Sequence, residues 1–93
     1  VKRLLIPSTA FIRSSRRFTR KHPQLADELQ LTLALLAEDA FQPQLRTHKL
    51  KGKLTGSWAC SAGYDLRFIF QFVKHNGKDA ILLEGIGTHD EVY

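Results

Sequence analysis

The spacing of apolar residues changes along the chain, and each change marks an element. Leu4, Leu5 and Ile6 form a short apolar run within Lys2 to Ile6, ended by Pro7-Ser8-Thr9. This predicts a first strand, with Thr9 as candidate N-cap of the next element. From Ala10 to Lys21, Phe11 and Phe18 are surrounded by Arg13, Arg16, Arg17 and Arg20. That is the pattern of a basic amphipathic helix. His22-Pro23 interrupts it. A second helix is expected from there, because proline suits a first turn and Asp27 and Glu28 meet the positive end of the helix dipole. Leu25, Leu29, Leu33, Leu36 and Ala40 recur at helical spacing, and Leu31 and Leu35 widen that face. The two helices predict a hairpin.

Phe41 to Gly56, with Pro43, Gly52 and Gly56, reads as a loop. Ser57 to Ala62 predicts a strand. Leu66 to Lys74 predicts another by strict alternation: Phe68, Phe70 and Phe72 on one face, Arg67, Ile69, Gln71 and Val73 on the other. His75-Asn76-Gly77-Lys78 carries the Asn-Gly hairpin signal, and Asp79 to Gly87 completes the hairpin. The expected fold is α+β: an N-terminal strand, a two-helix hairpin, then a three-stranded antiparallel segment completing one sheet. Helices cover one face, and the face bearing Arg67 stays open.

Length and composition keep this to a single domain over residues 1–93, 43% hydrophobic and 25% charged. A chain this size buries roughly two-thirds of its unfolded surface, enough for one modest core. No apolar run is long enough to cross a membrane, and the basic start precedes too short an apolar stretch for a signal peptide. One cysteine, Cys60, allows no internal disulfide, which suits a reducing cytoplasm. The net charge is +5. Its distribution says more than its size. Val1 to Ala26 holds seven basic residues and no acid, and Ala40 to Tyr64 holds four basic residues and no acid. Two all-basic stretches point to a polyanionic partner, although each charge alone also reads as a solubilising surface group.

Three local sequences occur in an order that resembles the RelE/ParE toxin superfamily, closest in pattern to the YafQ-type mRNA interferases. They are His48-Lys49-Leu50-Lys51-Gly52, then Gly63-Tyr64-Asp65-Leu66-Arg67-Phe68-Ile69-Phe70, then Gly87-Thr88-His89-Asp90-Glu91-Val92-Tyr93. The resemblance covers nearly the whole chain. It implies the RelE-like microbial ribonuclease fold and the toxin role in a type II toxin–antitoxin system. It also implies ribosome-dependent cleavage of mRNA without metal or other cofactor, contact with ribosomal RNA, and neutralisation by a cognate antitoxin. A sister branch of the same fold instead inhibits DNA gyrase.

Cleavage by a 2′-hydroxyl needs a base, an acid and positive charge on the transition state. The resemblance places His89 as general acid. It makes His48 a second proton-transfer or phosphate-contact residue, Arg67 a clamp on the scissile phosphate, and Tyr93 a platform for a base. Asp65, two residues before Arg67 and on the same face of a strand, acts as base or orients a histidine. A surface ion pair between Asp65 and Arg67 is the plain structural alternative. Arg46, Lys49, Lys51, Lys53, Arg13, Arg16, Arg17 and Arg20 are expected RNA contacts. One position departs from the YafQ pattern. Ser61 stands where a histidine precedes the aspartate by four residues, and a serine hydrogen-bonds RNA but shuttles no proton at neutral pH. Either His48 and Asp65 supply the base, or the set leans on Arg67 in the RelE manner. A gyrase inhibitor and a catalytically decayed RNA- or antitoxin-binding module remain the alternatives. His22, His75 and Cys60 show no metal-ligand spacing.

Overall fold

The computed structural model describes residues 1–63 and 65–88. In chain order these form β1 (Leu4–Pro7), α1 (Thr9–Lys21), α2 (Ala26–Glu38), β2 (His48–Lys49), β3 (Trp58–Ala62), β4 (Leu66–His75) and β5 (Lys78–Gly87). Short 3-10 turns cover Pro23–Leu25, Pro43–Leu45 and Gly52–Leu54. The five strands make one sheet in the order β1-β5-β4-β3-β2. β1 runs parallel to β5, and the other neighbours are antiparallel. The α+β class and the two-helix excursion are as expected. The stretch expected to be all loop contains β2, a two-residue edge strand.

Two local expectations are corrected. The N-cap of α1 is Ser8, whose hydroxyl accepts from the Phe11 amide at 3.0 Å, and Thr9 is the first helical residue. Both side chains can cap, and Ser8 alone has the extended backbone that a cap requires. In α2 the inward face is Leu29, Thr32 and Leu36, while Leu31 is 61% exposed. Leu31 lies two residues, and so about 200°, from Leu29 around the helix, which turns it to solvent. Thr32 takes a buried place because its hydroxyl donates to the Glu28 carbonyl at 2.7 Å.

The core lies between the helices and one face of the sheet. Phe11 and Phe18 of α1 and Leu29 and Leu36 of α2 pack with Phe68, Phe70, Ile81, Leu83 and Ile86. Phe68 and Phe70 are fully buried, and the Phe68 ring stacks on Phe11 at 6.1 Å. The β4–β5 turn has positive φ at Asn76 (53°) and Gly77 (79°), between the paired His75 and Lys78. This two-residue loop suits Asn-Gly because its backbone twist matches that of the strands. Lys74 and Asp79 pair across it at 2.5 Å, and this hydrogen bond holds the Asp79 carboxyl below its ordinary 3.8.

β5 changes phase along its length. Phe70 pairs with Leu83, yet Ile69 pairs with Gly85, so Glu84 is an extra residue in β5. This bulge swaps the faces of everything downstream. Ile86 pairs with Phe68 and enters the core, and Gly87 pairs with Arg67. An unbroken register would have set Gly85 opposite Phe68 in the core and Ile86 beside Arg67 on the open face. Beyond Leu83, β1 has ended, and among the described residues the outer edge of β5 has no strand partner there. Ser14 of α1 fills that gap: its hydroxyl donates to the Ile86 carbonyl at 2.8 Å and accepts from the Ile86 amide at 3.2 Å. One serine thus satisfies both groups that an absent strand would have paired.

Cys60 is fully buried in β3. Burial pushes its thiol up to about 12, against a smaller downward pull from Arg67. The folded protein then holds this proton between pH 9 and 12 while the unfolded chain loses it, so stability falls as pH rises through that window. At pH 8 a thiol-specific reagent such as Ellman's is expected to leave Cys60 untouched in the folded protein and to label it fully in guanidinium. Rapid labelling under native conditions would contradict the burial.

Candidate active site

Pairing brings residues from four strands onto the face opposite the helices. Ser61 of β3 pairs with Arg67 of β4, which pairs with Gly87 of β5. Two positions along, His48 of β2 pairs with Ala59, Ala59 with Ile69, and Ile69 with Gly85. Directly paired residues share a face, and so do residues two apart on a strand. Hence Ser61, Arg67 and His48 stand together on one surface. Strand spacings put His48 and Arg67 roughly 12 Å apart at Cα, leaving room for a phosphodiester between imidazole and guanidinium.

Each side chain is held by local structure. The chain reaches β2 through Arg46, which adopts a left-handed conformation with φ 51° at the end of a 3-10 turn. The Arg46 carbonyl lies 2.8 Å from His48 Nδ1. A carbonyl only accepts, so Nδ1 carries the proton in this bond and Nε2 carries the lone pair. His48 is exposed, so that lone pair belongs to the solvent-facing edge of an oriented ring. Arg67 is half-buried and donates from Nη1 to the Leu66 carbonyl at 3.2 Å. Ser61 Oγ reaches the Leu45 carbonyl at 3.5 Å. Asp65 is half-buried in the β3–β4 connection, two residues before Arg67.

The other expected RNA contacts divide by position. Lys49 pairs with Trp58 and therefore stands on the face away from His48, its Nζ 5.6 Å from the Trp58 ring. Charge alone nominated it, and the alternation of β2 separates it from the site. Arg46, Lys51 and Lys53 are exposed on the chain around β2. Arg13, Arg16, Arg17 and Arg20 are exposed along α1. Arg17 borders the open face, and Arg16 and Arg20 flank a groove on the helix itself. His89 and Tyr93, and Tyr64 of the central motif, lie outside the described residues. Among the described residues no three of His, Cys, Asp and Glu cluster as metal ligands, and no helix is long and apolar enough to cross a membrane.

A polar group on this face was missed from sequence. Glu84 Oε1 accepts from Ser57 Oγ at 2.8 Å, and Glu84 Oε2 accepts from Gln71 Nε2 at 3.1 Å. Alternation from the buried Leu83 sends Glu84 to this face, beside the Ile69–Gly85 pair. A signal for it existed: with Ile81 and Leu83 on the buried face, period-two alternation turns Glu84 to the other one.

Comparison with known proteins bears on the family and the fold. Residues 3–93 match the family described as bacterial toxin of type II toxin-antitoxin system, YafQ. No curated protein matches the chain in sequence. Among solved structures, the fold is similar to that in the DinJ–YafQ toxin–antitoxin complex of Escherichia coli, with a TM-score of 0.75 at 17% identity over 100% of this chain and 99% of the other. It is similar to the YoeB/ParE toxin of Agrobacterium tumefaciens, with a TM-score of 0.71 at 13% identity over 92% and 98% of the two chains. The RelBE2 toxin–antitoxin complex of Mycobacterium tuberculosis gives a TM-score of 0.70 at 12% identity over 96% and 100%. At such identities the structural likeness is one of fold.

Proposed function

The chain belongs to the YafQ family of bacterial toxins of type II toxin–antitoxin systems, and from this premise we propose that it is an endoribonuclease that cuts mRNA on the ribosome in the cytoplasm, without a metal, and is restrained by a cognate antitoxin. Family membership supplies the toxin role. The observation that carries the nuclease reading is the placement of His48, Ser61 and Arg67 on one open face, where the strand ending at Gly87 leads into His89 two residues later.

In the proposed reaction, the 2′-oxygen of one nucleotide bonds to the adjacent phosphorus and the bond from phosphorus to the 5′-oxygen breaks. His48 Nε2 takes the 2′ proton, as its lone pair allows, with the Arg46 carbonyl holding the ring. Arg67 spans two phosphoryl oxygens and stabilises their extra charge. His89 delivers a proton to the departing 5′-oxygen, leaving a cyclic phosphate and a free 5′-hydroxyl. Ser61 hydrogen-bonds the sugar-phosphate, Asp65 orients the groups beside it, and Tyr93 stacks on a base. Arg46, Lys51, Lys53 and the α1 arginines contact phosphates of messenger and ribosomal RNA. The YafQ and RelBE2 neighbours were solved as toxin–antitoxin complexes, which supports a cognate antitoxin here. An acidic, partly disordered segment suits a +5 toxin.

Ser61 in place of a histidine favours one other reading, a module that binds RNA or antitoxin without cutting. Translation of a defined mRNA in a purified system separates the two. Primer extension is expected to show codon-phased cuts that His89→Ala abolishes. Intact message under active translation, or the same cuts from the variant, would defeat the enzymatic reading.

A further inference from the structure

Beside the row that carries His48, where the open face meets α1 at the outer edge of β5, lies a cleft of 340 Å³, a volume typical of small-ligand sites. Ile69 of the open face and the exposed Leu54 give it apolar lining, and Phe18 and Ile86, which face the core, reach it only at the outer edge of β5. Ser57, Glu84 and Arg17 supply the polar groups. Among the described residues lining it, Glu84 is the only acid and Arg17 the only base. An acid here, on a surface otherwise rich in basic groups, needs a reason.

The Glu84 carboxylate is held in place. Ser57 donates to one oxygen at 2.8 Å and Gln71 to the other at 3.1 Å. Each oxygen retains a lone pair after that single bond. The bulge at Glu84 fixes the backbone beneath it. The outcome is a two-pronged acceptor, already oriented, at the side of an apolar slot. An ionised carboxylate donates nothing, so it selects a ligand edge with two adjacent donors. Of the RNA bases, guanine alone offers that edge, N1–H beside the N2 amino group. Adenine and cytosine set an acceptor next to their amino groups, and uracil flanks its one donor with two acceptors.

We propose that this cleft binds a guanine base of the RNA substrate and that Glu84 reads its Watson–Crick edge. The inference takes its substrate class from the nuclease reading and adds a specificity residue to that site. Position supports it. Ile69 lies two residues from Arg67 on the same strand face, about 7 Å away. A nucleotide whose phosphate sits on Arg67 therefore reaches the cleft with its base. Leu54 and Ile69 pack on the ring, and Arg17 stands at the rim for a neighbouring phosphate.

Binding tests this without any cleavage. GMP, AMP, CMP and UMP are each titrated into isotopically labelled full-length protein and followed by amide shifts. GMP is expected to move Ser57, Ile69, Gly85 and Ile86 and to bind at least about tenfold more tightly than the other three. Glu84→Gln, which keeps size and removes charge, is expected to erase that preference. Equal affinity for all four nucleotides, or shifts that avoid the cleft, overturns the inference, and this comparison needs only the unaltered protein. The cleavage assay separates the two readings. Cuts with no guanine preference overturn the cleft assignment and leave the nuclease standing. Guanine-selective binding by a protein that cuts nothing supports the cleft and overturns the nuclease.

Discussion

Arg67→Ala is expected to slow RNA cleavage by roughly 100- to 1,000-fold, the usual loss when a group aimed at developing charge is removed. Arg67 is placed for this by pairing, between Ser61 on one side and Gly87 on the other. It donates to the Leu66 carbonyl at 3.2 Å, a neutral acceptor that holds the guanidinium weakly and lets it turn to a phosphate. Arg67→Lys keeps the charge and loses the planar fork, so it is expected to fall between alanine and the native residue. Single-turnover cleavage of one defined message gives the rates, and the thermal midpoint of each variant shows whether the fold survives. Alanine at native speed would remove Arg67 from the chemistry.

Phe68→Ala acts on the scaffold under the same site. Phe68 is fully buried, stacks on Phe11 and faces Ile86 across the sheet. Truncating such a side chain costs about 3–5 kcal/mol, from lost burial and the cavity left behind. Domains of this size carry about 5–15 kcal/mol in total. At about 4–8 °C per kcal/mol, the thermal midpoint is expected to drop by at least about 12 °C. Ile12, on the exposed side of α1, is the control. Ile12→Ala is expected to stay within about 0.5 kcal/mol. Equal effects from the two changes would mean that the phenylalanine face of β4 is not the core.

The alternation of Phe68, Phe70 and Phe72 told which face of β4 is buried, and so that Arg67 stands on the other. Asn76-Gly77 told where the hairpin turns, because few residues tolerate positive φ. Leucines on nearly every side of α2 hid which of them face inward, and the polar Thr32 took a core position that no hydrophobic pattern reveals. β2 was illegible for a different reason. Two residues between a left-handed arginine and a 3-10 turn carry no periodicity, and the strand exists only because β3 is there to pair with it. The same pairing sorts the basic loop. His48 and Lys49 look equivalent as charges in a row, and alternation sends them to opposite faces. The bulge needed the longest-range information. It shows only as a slip between buried positions on β5, and it decides both that Ile86 enters the core and that Gly87 meets Arg67.

The parallel pairing of β1 with β5 has a consequence for biosynthesis. Leu4 pairs with Ala80, so the strand made first waits for the strand made last among those described. β5 stands between β1 and β4, and Arg67 has its second neighbour only once Gly87 has emerged. Contacts so distant in sequence form late. A partly synthesised chain therefore has helices and β1 but no assembled open face, and the row through Ser61, Arg67 and Gly87 closes only when the last of these strands has appeared.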